Sequence, residues 1–155
     1  MIVVAGLGSA YRGDDAVGPL VAALAAAEVS PAIDVGPIED PLDLLGRFDG
    51  AELAVVVDAV RSGAPVGSVR VFELELGSGH EDEVGVATTS THGIGLVGVV
   101  RLARAVGRAP RRLAVVTIEG EVFDLGREMS DAVVAAVPEA VSAVVRLIEE
   151  VEQCA

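Results

Sequence analysis

Met1-Ile-Val-Val-Ala-Gly-Leu-Gly-Ser-Ala-Tyr-Arg-Gly-Asp-Asp15 is an apolar, β-branched run that breaks at two glycines and ends on paired carboxylates. Residues 2–6 have the composition of a strand buried on both faces. Gly6-Leu-Gly8 turns the chain, and Asp14 or a neighbour is expected to cap a helix over residues 15–28. Val17, Leu20, Val21 and Leu24 recur there at helical spacing. A buried strand feeding straight into a helix is the opening of an α/β fold, and the chain repeats the alternation.

Ser30-Pro31 ends the first helix. Residues 32–36 read as a second strand, Pro37 to Pro41 as a loop, and 42–48 as a short helix. Residues 52–58 are the clearest buried strand. After the Arg61-Ser-Gly-Ala-Pro65 turn, Val69, Val71 and Leu74 mix with Arg70, Glu73 and Glu75. That imperfect alternation suits an edge strand with one wetter face, compatible with antiparallel pairing. Gly77 to Val86, rich in glycine and acid, reads as a loop. A helix follows His92 to about Val106, then a strand over 113–118 and a long loop from Gly120 to Met129. Ser130 is the expected N-cap of the last segment, and Pro138 is expected to kink it or start a new helix. Val141, Val144, Val145, Ile148 and Val151 form its apolar stripe. With no repeat and no linker, residues 1–155 are expected to form a single α/β domain with helices on both faces of the sheet.

Composition narrows the function. Of 155 residues, 52% are hydrophobic, enough for a full-sized core, but only 3% are aromatic. No aromatic platform for stacking bases is expected. A net charge of −13 argues against nucleic acid and anionic membrane as partners. All 11 basic residues are arginine. Without lysine there is no Schiff base, no Ser–Lys dyad and no Walker-type phosphate loop. The single cysteine, Cys154, permits no intrachain disulfide and fits a reducing compartment. The N-terminus does not read as a signal peptide, and no apolar stretch reaches about 18 residues. A cytoplasmic location is the expectation. Arg101, Arg104, Arg108, Arg111 and Arg112 cluster, the first three at helical spacing; a solvated helix face is the expected role.

Three chemical positions lie where apolar strands run out: Asp14-Asp15, Asp58 after Val55-Val-Val57, and His92 between Thr91 and Gly93. The carboxyl ends of strands are where open α/β sheets bind ligands. Helix capping explains one carboxylate of the pair, leaving the other for a cleft. Asp58 at a buried strand end needs a partner, a ligand or a rim position. His80, in the acidic loop, reads as solvated. Two carboxylates and an imidazole suit a borderline divalent ion such as nickel or zinc, with positions left open for another molecule. Gly6-Leu-Gly8 also allows a nucleotide-binding turn, but the third glycine of that fingerprint is missing, since Tyr11 stands in its place. A non-catalytic nucleotide- or metal-binding α/β module is therefore the alternative class.

In combination these segments resemble the nickel–iron hydrogenase maturation endopeptidases. That family opens on a strand and a Gly-x-Gly-Asn turn leading to an Asp-Asp/Glu pair and a glycine, matched by Gly6-Leu-Gly8-Ser9 and Asp14-Asp15-Ala-Val-Gly18. Its strand-ending Asp matches Asp58, and its Ser/Thr-His-x-x-Gly-Leu matches Thr91-His92-Gly-Ile-Gly95-Leu96. Its late Ile-Glu and Gly-x-x-Leu-Ser resemble Ile118-Glu119 and Gly126-Arg-Glu-Met129-Ser130. The chain departs from the family at Ser9, at Gly36-Pro-Ile-Glu-Asp40 and at Gly120. The resemblance implies a three-layer α/β/α sandwich with a mixed five-stranded sheet, of the phosphorylase/hydrolase-like kind. It implies a peptidase that removes a C-terminal extension from the hydrogenase large-subunit precursor once nickel is in place. Asp15, Asp58 and His92 would be the catalytic and metal-contacting residues. Nickel would be recognised in the substrate rather than permanently bound, with another divalent ion able to substitute.

Overall fold

Val3, Val4 and Ala5 of β1 (Ile2–Leu7) are fully buried because a parallel strand lies on each side of them. Their side chains alternate between two cores, one above and one below the sheet. The computed structural model describes residues 1–31, 33–76 and 95–154. In chain order the remaining elements begin with α1 (Val17–Ala26), β2 (Asp34–Ile38) and α2 (Leu44–Phe48). They continue with β3 (Leu53–Val60), β4 (Val69–Glu75), α3 (Gly95–Ala105), β5 (Arg112–Glu119) and α4 (Asp131–Cys154). Among the described residues the sheet has five strands in the order β2-β1-β3-β5-β4, with β4 alone antiparallel.

The strand pattern explains the layering. Leu53, Val55 and Val57 of β3 join Ala114 and Val116 of β5 under α1 and α4. Ala54 and Val56 join Leu113 and Val115 on the other face, under α2 and α3. Two buried faces require continuous apolar strands, which is what β3 and β5 carry. The three-layer mixed sheet expected from the sequence is the fold observed.

Several boundaries differ from the sequence reading. β2 runs over Asp34–Ile38, so Pro37 lies inside a strand and not in a loop. It is tolerated because β2 is an edge strand, where a missing N–H breaks no central ladder. β3 continues past Asp58 to Val60, which places the carboxylate inside the strand and not at its last residue. The first helix opens as a 3-10 turn at Gly13–Ala16 and becomes α-helical only at Val17. Asp14 does not cap it; its carboxylate is used elsewhere, as described below. Pro138 neither breaks nor restarts α4, which runs unbroken from Asp131 to Cys154. Val134, four residues before it, is exposed, so water can serve the carbonyl that loses its partner.

β4 is the antiparallel edge strand expected from its alternation. α3 ends at Ala105, so Arg108 lies beyond the helix and pairs with Asp49 at 3.8 Å. Arg112 belongs to β5 and pairs with Glu73 and Glu75 of β4. The expected loop over Gly77 to Val86, His80 and His92 all lie outside the described residues.

Candidate functional site

Asp58 sits in the middle of the sheet, between Leu7 of β1 and Thr117 of β5. Side chains alternate along a strand, so Asp58 shares the α2/α3 face with Ala54 and Val56. It is completely buried, and among the described residues neither carboxylate oxygen has a partner at hydrogen-bond geometry. Burial, reinforced by the negative charge of Asp15, pushes the Asp58 carboxyl well above the usual carboxylate range; the Ala59 amide offsets only part of this.

Asp15 reaches the same place from the first turn after β1. It is buried, and its Oδ2 accepts a 2.8 Å bond from the Ser9 amide. Gly8 makes this possible. Its φ of 133° lies in a region open chiefly to glycine, and a Cβ there would strike the Asp15 carbonyl and come within 2.9 Å of Asp15 Oδ1. Gly18 then seats α1 directly on the sheet: a Cβ on it would strike the Leu7 carbonyl and lie 2.7 Å from that of Val57, the residue before Asp58. A Cβ on Gly6 would strike Gly18 in return. The early glycines are thus packing glycines that draw α1 and its acidic first turn onto the ends of β1 and β3.

Two other buried carboxylates at this end of the sheet show what a structural acid looks like. Asp14 Oδ2 accepts from the amides of Glu121 at 2.8 Å and Val122 at 2.9 Å, and Oδ1 accepts from the Ser130 amide at 2.7 Å. The Ser130 hydroxyl donates to the same carboxylate. Burial alone would raise the pKa of Asp14; these donors outweigh it and hold the carboxyl below its ordinary value. Glu119 accepts from the amides of Ser62 and Gly63 and from the Ser62 hydroxyl, pinning the turn after β3. Asp14 and Glu119 are saturated with donors, whereas among the described residues Asp58 has only the adjacent Ala59 amide nearby and no donor at full hydrogen-bond geometry. A buried acid that the fold leaves so poorly solvated is a candidate ligand site.

The structure therefore brings Asp15 and Asp58 together, while His92 lies outside the described residues. Among the described residues no group of three His, Cys, Asp or Glu side chains could hold a metal ion. Two carboxylates from this part of the chain therefore stand close together. The sequence reading missed Asp14 as the anchor of the Gly120–Met129 loop, because a contact across more than 100 residues leaves no local pattern. It also passed over Thr117, buried beside Asp58 in register. Its signal was a hydroxyl inside an otherwise apolar strand. Among the described residues no helix is long and apolar enough to cross a membrane.

The sequence profile of a family described as hydrogenase maturation protease (HycI) matches residues 21–147. Among solved structures, the [NiFe] hydrogenase maturation protease HybD from Thermococcus kodakarensis is 26% identical, with a TM-score of 0.72 over 94% of this chain and 97% of that one. The hydrogenase 2 maturation peptidase from a Thaumarchaeota archaeon is also 26% identical, with a TM-score of 0.68 over 95% and 97%. The maturating endopeptidase HybD from E. coli shares the fold, with a TM-score of 0.78 at 21% identity over 96% and 92%. No curated sequence matches the chain.

Proposed function

The chain belongs to the hydrogenase maturation protease family and is an endopeptidase; on that premise we propose that it removes a C-terminal extension from a nickel-loaded hydrogenase large-subunit precursor, with Asp15, Asp58 and His92 meeting the substrate's metal. The observation that carries this reading is Asp58, a buried carboxylate with no partner at hydrogen-bond geometry among the described residues and a neighbouring carboxylate that makes its charge costlier still. Two acids arranged in this way repel each other until a cation arrives. Nickel in this reading is part of the substrate, so an empty precursor lacks the charge that the pair is built to meet. Nothing in the comparisons favours the nucleotide-binding alternative, and packing accounts for its glycines.

The chemistry follows from the same geometry. Nickel held in the precursor polarises the neighbouring peptide carbonyl and draws Asp58 into its ionised form. The carboxylate so released either binds the metal or takes a proton from the attacking water. Water adds to the carbonyl carbon, the C–N bond breaks, and the leaving amine departs with a proton. The products are a new carboxylate on the large subunit and a free peptide. The reading places this reaction in the cytoplasm, with support from the exposed thiol of Cys154, which fits a reducing compartment. The Gly36–Asp40 departure runs from within β2 into the turn after it, where the Gly8 amide donates to the Ile38 carbonyl at 3.0 Å, and this reading assigns it to substrate choice.

The test is to incubate nickel-loaded and nickel-free precursor with the protein and with Asp58→Asn. Cleavage of the loaded precursor alone, lost in the variant, is the expected result. No cleavage of any host precursor, or full activity in Asp58→Asn, sinks the reading.

A further inference from the structure

Tyr11 and Leu125 are the most exposed large apolar side chains among the described residues, at 72% and 73%. A single exposed leucine says little, since much of any protein surface is apolar. These two differ in what lies beneath them. Tyr11 follows β1 and Leu125 follows β5, so both stand at the carboxyl end of the sheet, where Asp15 and Asp58 lie. The two segments are joined: the Gly126 amide donates to the Tyr11 carbonyl at 2.8 Å, and the Gly13 amide donates to the Arg127 carbonyl at 3.1 Å.

Each segment is also tied down by a buried carboxylate. Asp15 holds the Ser9 amide, and Asp14 holds the amides of Glu121, Val122 and Ser130. The apolar pair is thus presented on a platform fixed by the same acidic turn that supplies Asp15. Apolar area held in a set geometry loses little entropy on binding. Its nearest exposed charges in sequence are Arg12 and Arg127 against Asp124 and Glu128, which balance, Asp14 being buried. Contact here is driven by apolar burial and not by long-range charge.

We propose that Tyr11 and Leu125 form an apolar foothold for the folded body of the hydrogenase large-subunit precursor, holding it while its metal-bearing segment lies at Asp58. The inference rests on the proposed function. Its geometric reason is that β1 and β5 flank β3, so the loops that follow them stand on either side of the strand that carries Asp58. Other exposed apolar residues, Leu102 and Val106, belong to α3 and the turn after it, where the chain heads for the amino end of β5. They serve as controls.

The experiment compares Tyr11→Ser/Leu125→Ser with Leu102→Ser/Val106→Ser on nickel-loaded precursor, alongside thermal midpoints and sedimentation. The first pair is expected to raise KM about tenfold or more at low and high salt, with kcat within about twofold and an unchanged midpoint. The control pair is expected to change neither constant. Binding of the precursor to Asp58→Asn protein, with and without the first pair, separates this inference from the reaction. If the wild type never cleaves but the first pair still abolishes binding, the proposed reaction fails and the foothold stands. Unchanged KM and binding overturn the foothold, as does an equal effect of the control pair. So does self-association that is lost in the first pair while KM stays the same, for then a second copy of the chain occupies the platform. Absence of any binding overturns it too.

Discussion

Asp58→Asn removes a charge from a position with 0% exposure and no hydrogen-bond partner, and its effect on stability has a sign that pH must reverse. In the unfolded chain Asp58 titrates near about 3.9. In the folded protein burial and Asp15 hold its pKa well above that. Between the two values the folded protein keeps a proton that the unfolded chain has released. Stability therefore falls as pH rises through this window, with a slope of up to about 1.4 kcal/mol per pH unit. Below about pH 3.9 both states are protonated and the penalty disappears. Asparagine never ionises, so the variant escapes the loss, although its own amide stays short of partners. We expect Asp58→Asn to exceed the wild type at pH 8 by about 1–3 kcal/mol, the scale of an unpaired buried polar group. That corresponds to roughly 2–4 °C in Tm per kcal/mol for a chain of this size. The advantage shrinks to within about 0.5 kcal/mol near pH 4, where the charge is absent from both proteins. Urea unfolding at pH 4, 6 and 8 in the presence of a chelator reads this directly. A variant less stable than the wild type at pH 8, or a difference that does not move with pH, would refute the argument, because the Asp58 charge would then be compensated within the protein. A gain in stability at the cost of cleavage is what a ligand site produces.

Asp14→Ala should act in the opposite direction, costing about 2–4 kcal/mol at pH 7 as three amides and a hydroxyl lose their acceptor. Because the Asp14 pKa is lowered on folding, this contribution is present above the ordinary carboxylate value and is lost as pH falls through the folded one, which acid titration of the wild type against the variant will show. Gly8→Ala forces a side chain into a left-handed conformation against the Asp15 carbonyl. A loss of at least about 2 kcal/mol by thermal melting, with cleavage falling as Asp15 is displaced, is the expected result. Pro138→Ala restores a hydrogen bond inside α4, and urea unfolding should show a gain of about 1–2 kcal/mol after the loss of proline's restraint on the unfolded chain.

The strands that matter most were legible because burial on both faces demands uninterrupted apolar runs, and β1, β3 and β5 carry them. β4 announced its edge position through Arg70, Glu73 and Glu75. Errors collected where local preference was overruled. Pro37 looked like a loop residue, but an edge strand asks nothing of its missing N–H. Pro138 looked like a break, but α4 is held by ten buried side chains along its length, and their packing outweighs one lost hydrogen bond on the wet face. Asp14 looked like a helix cap because it stands at a helix start, yet its donors come from residues 121, 122 and 130.

What the sequence determined by itself was the order of elements, the two-faced burial of the central strands, and the presence of acids among and just after their apolar runs. These follow from periodicity and composition, which are properties of neighbouring residues. The tertiary structure alone decided the surroundings of the acids. Asp14, Asp58 and Glu119 are all buried carboxylates near one end of one sheet. Two of them are saturated by amides brought from segments remote in the chain, and Asp58 finds no such remote donor among the described residues. A carboxylate's solvation and its nearest charge are set by distances in space, so the difference between a donor-saturated acid and a poorly solvated one appears only once the chain has folded around them.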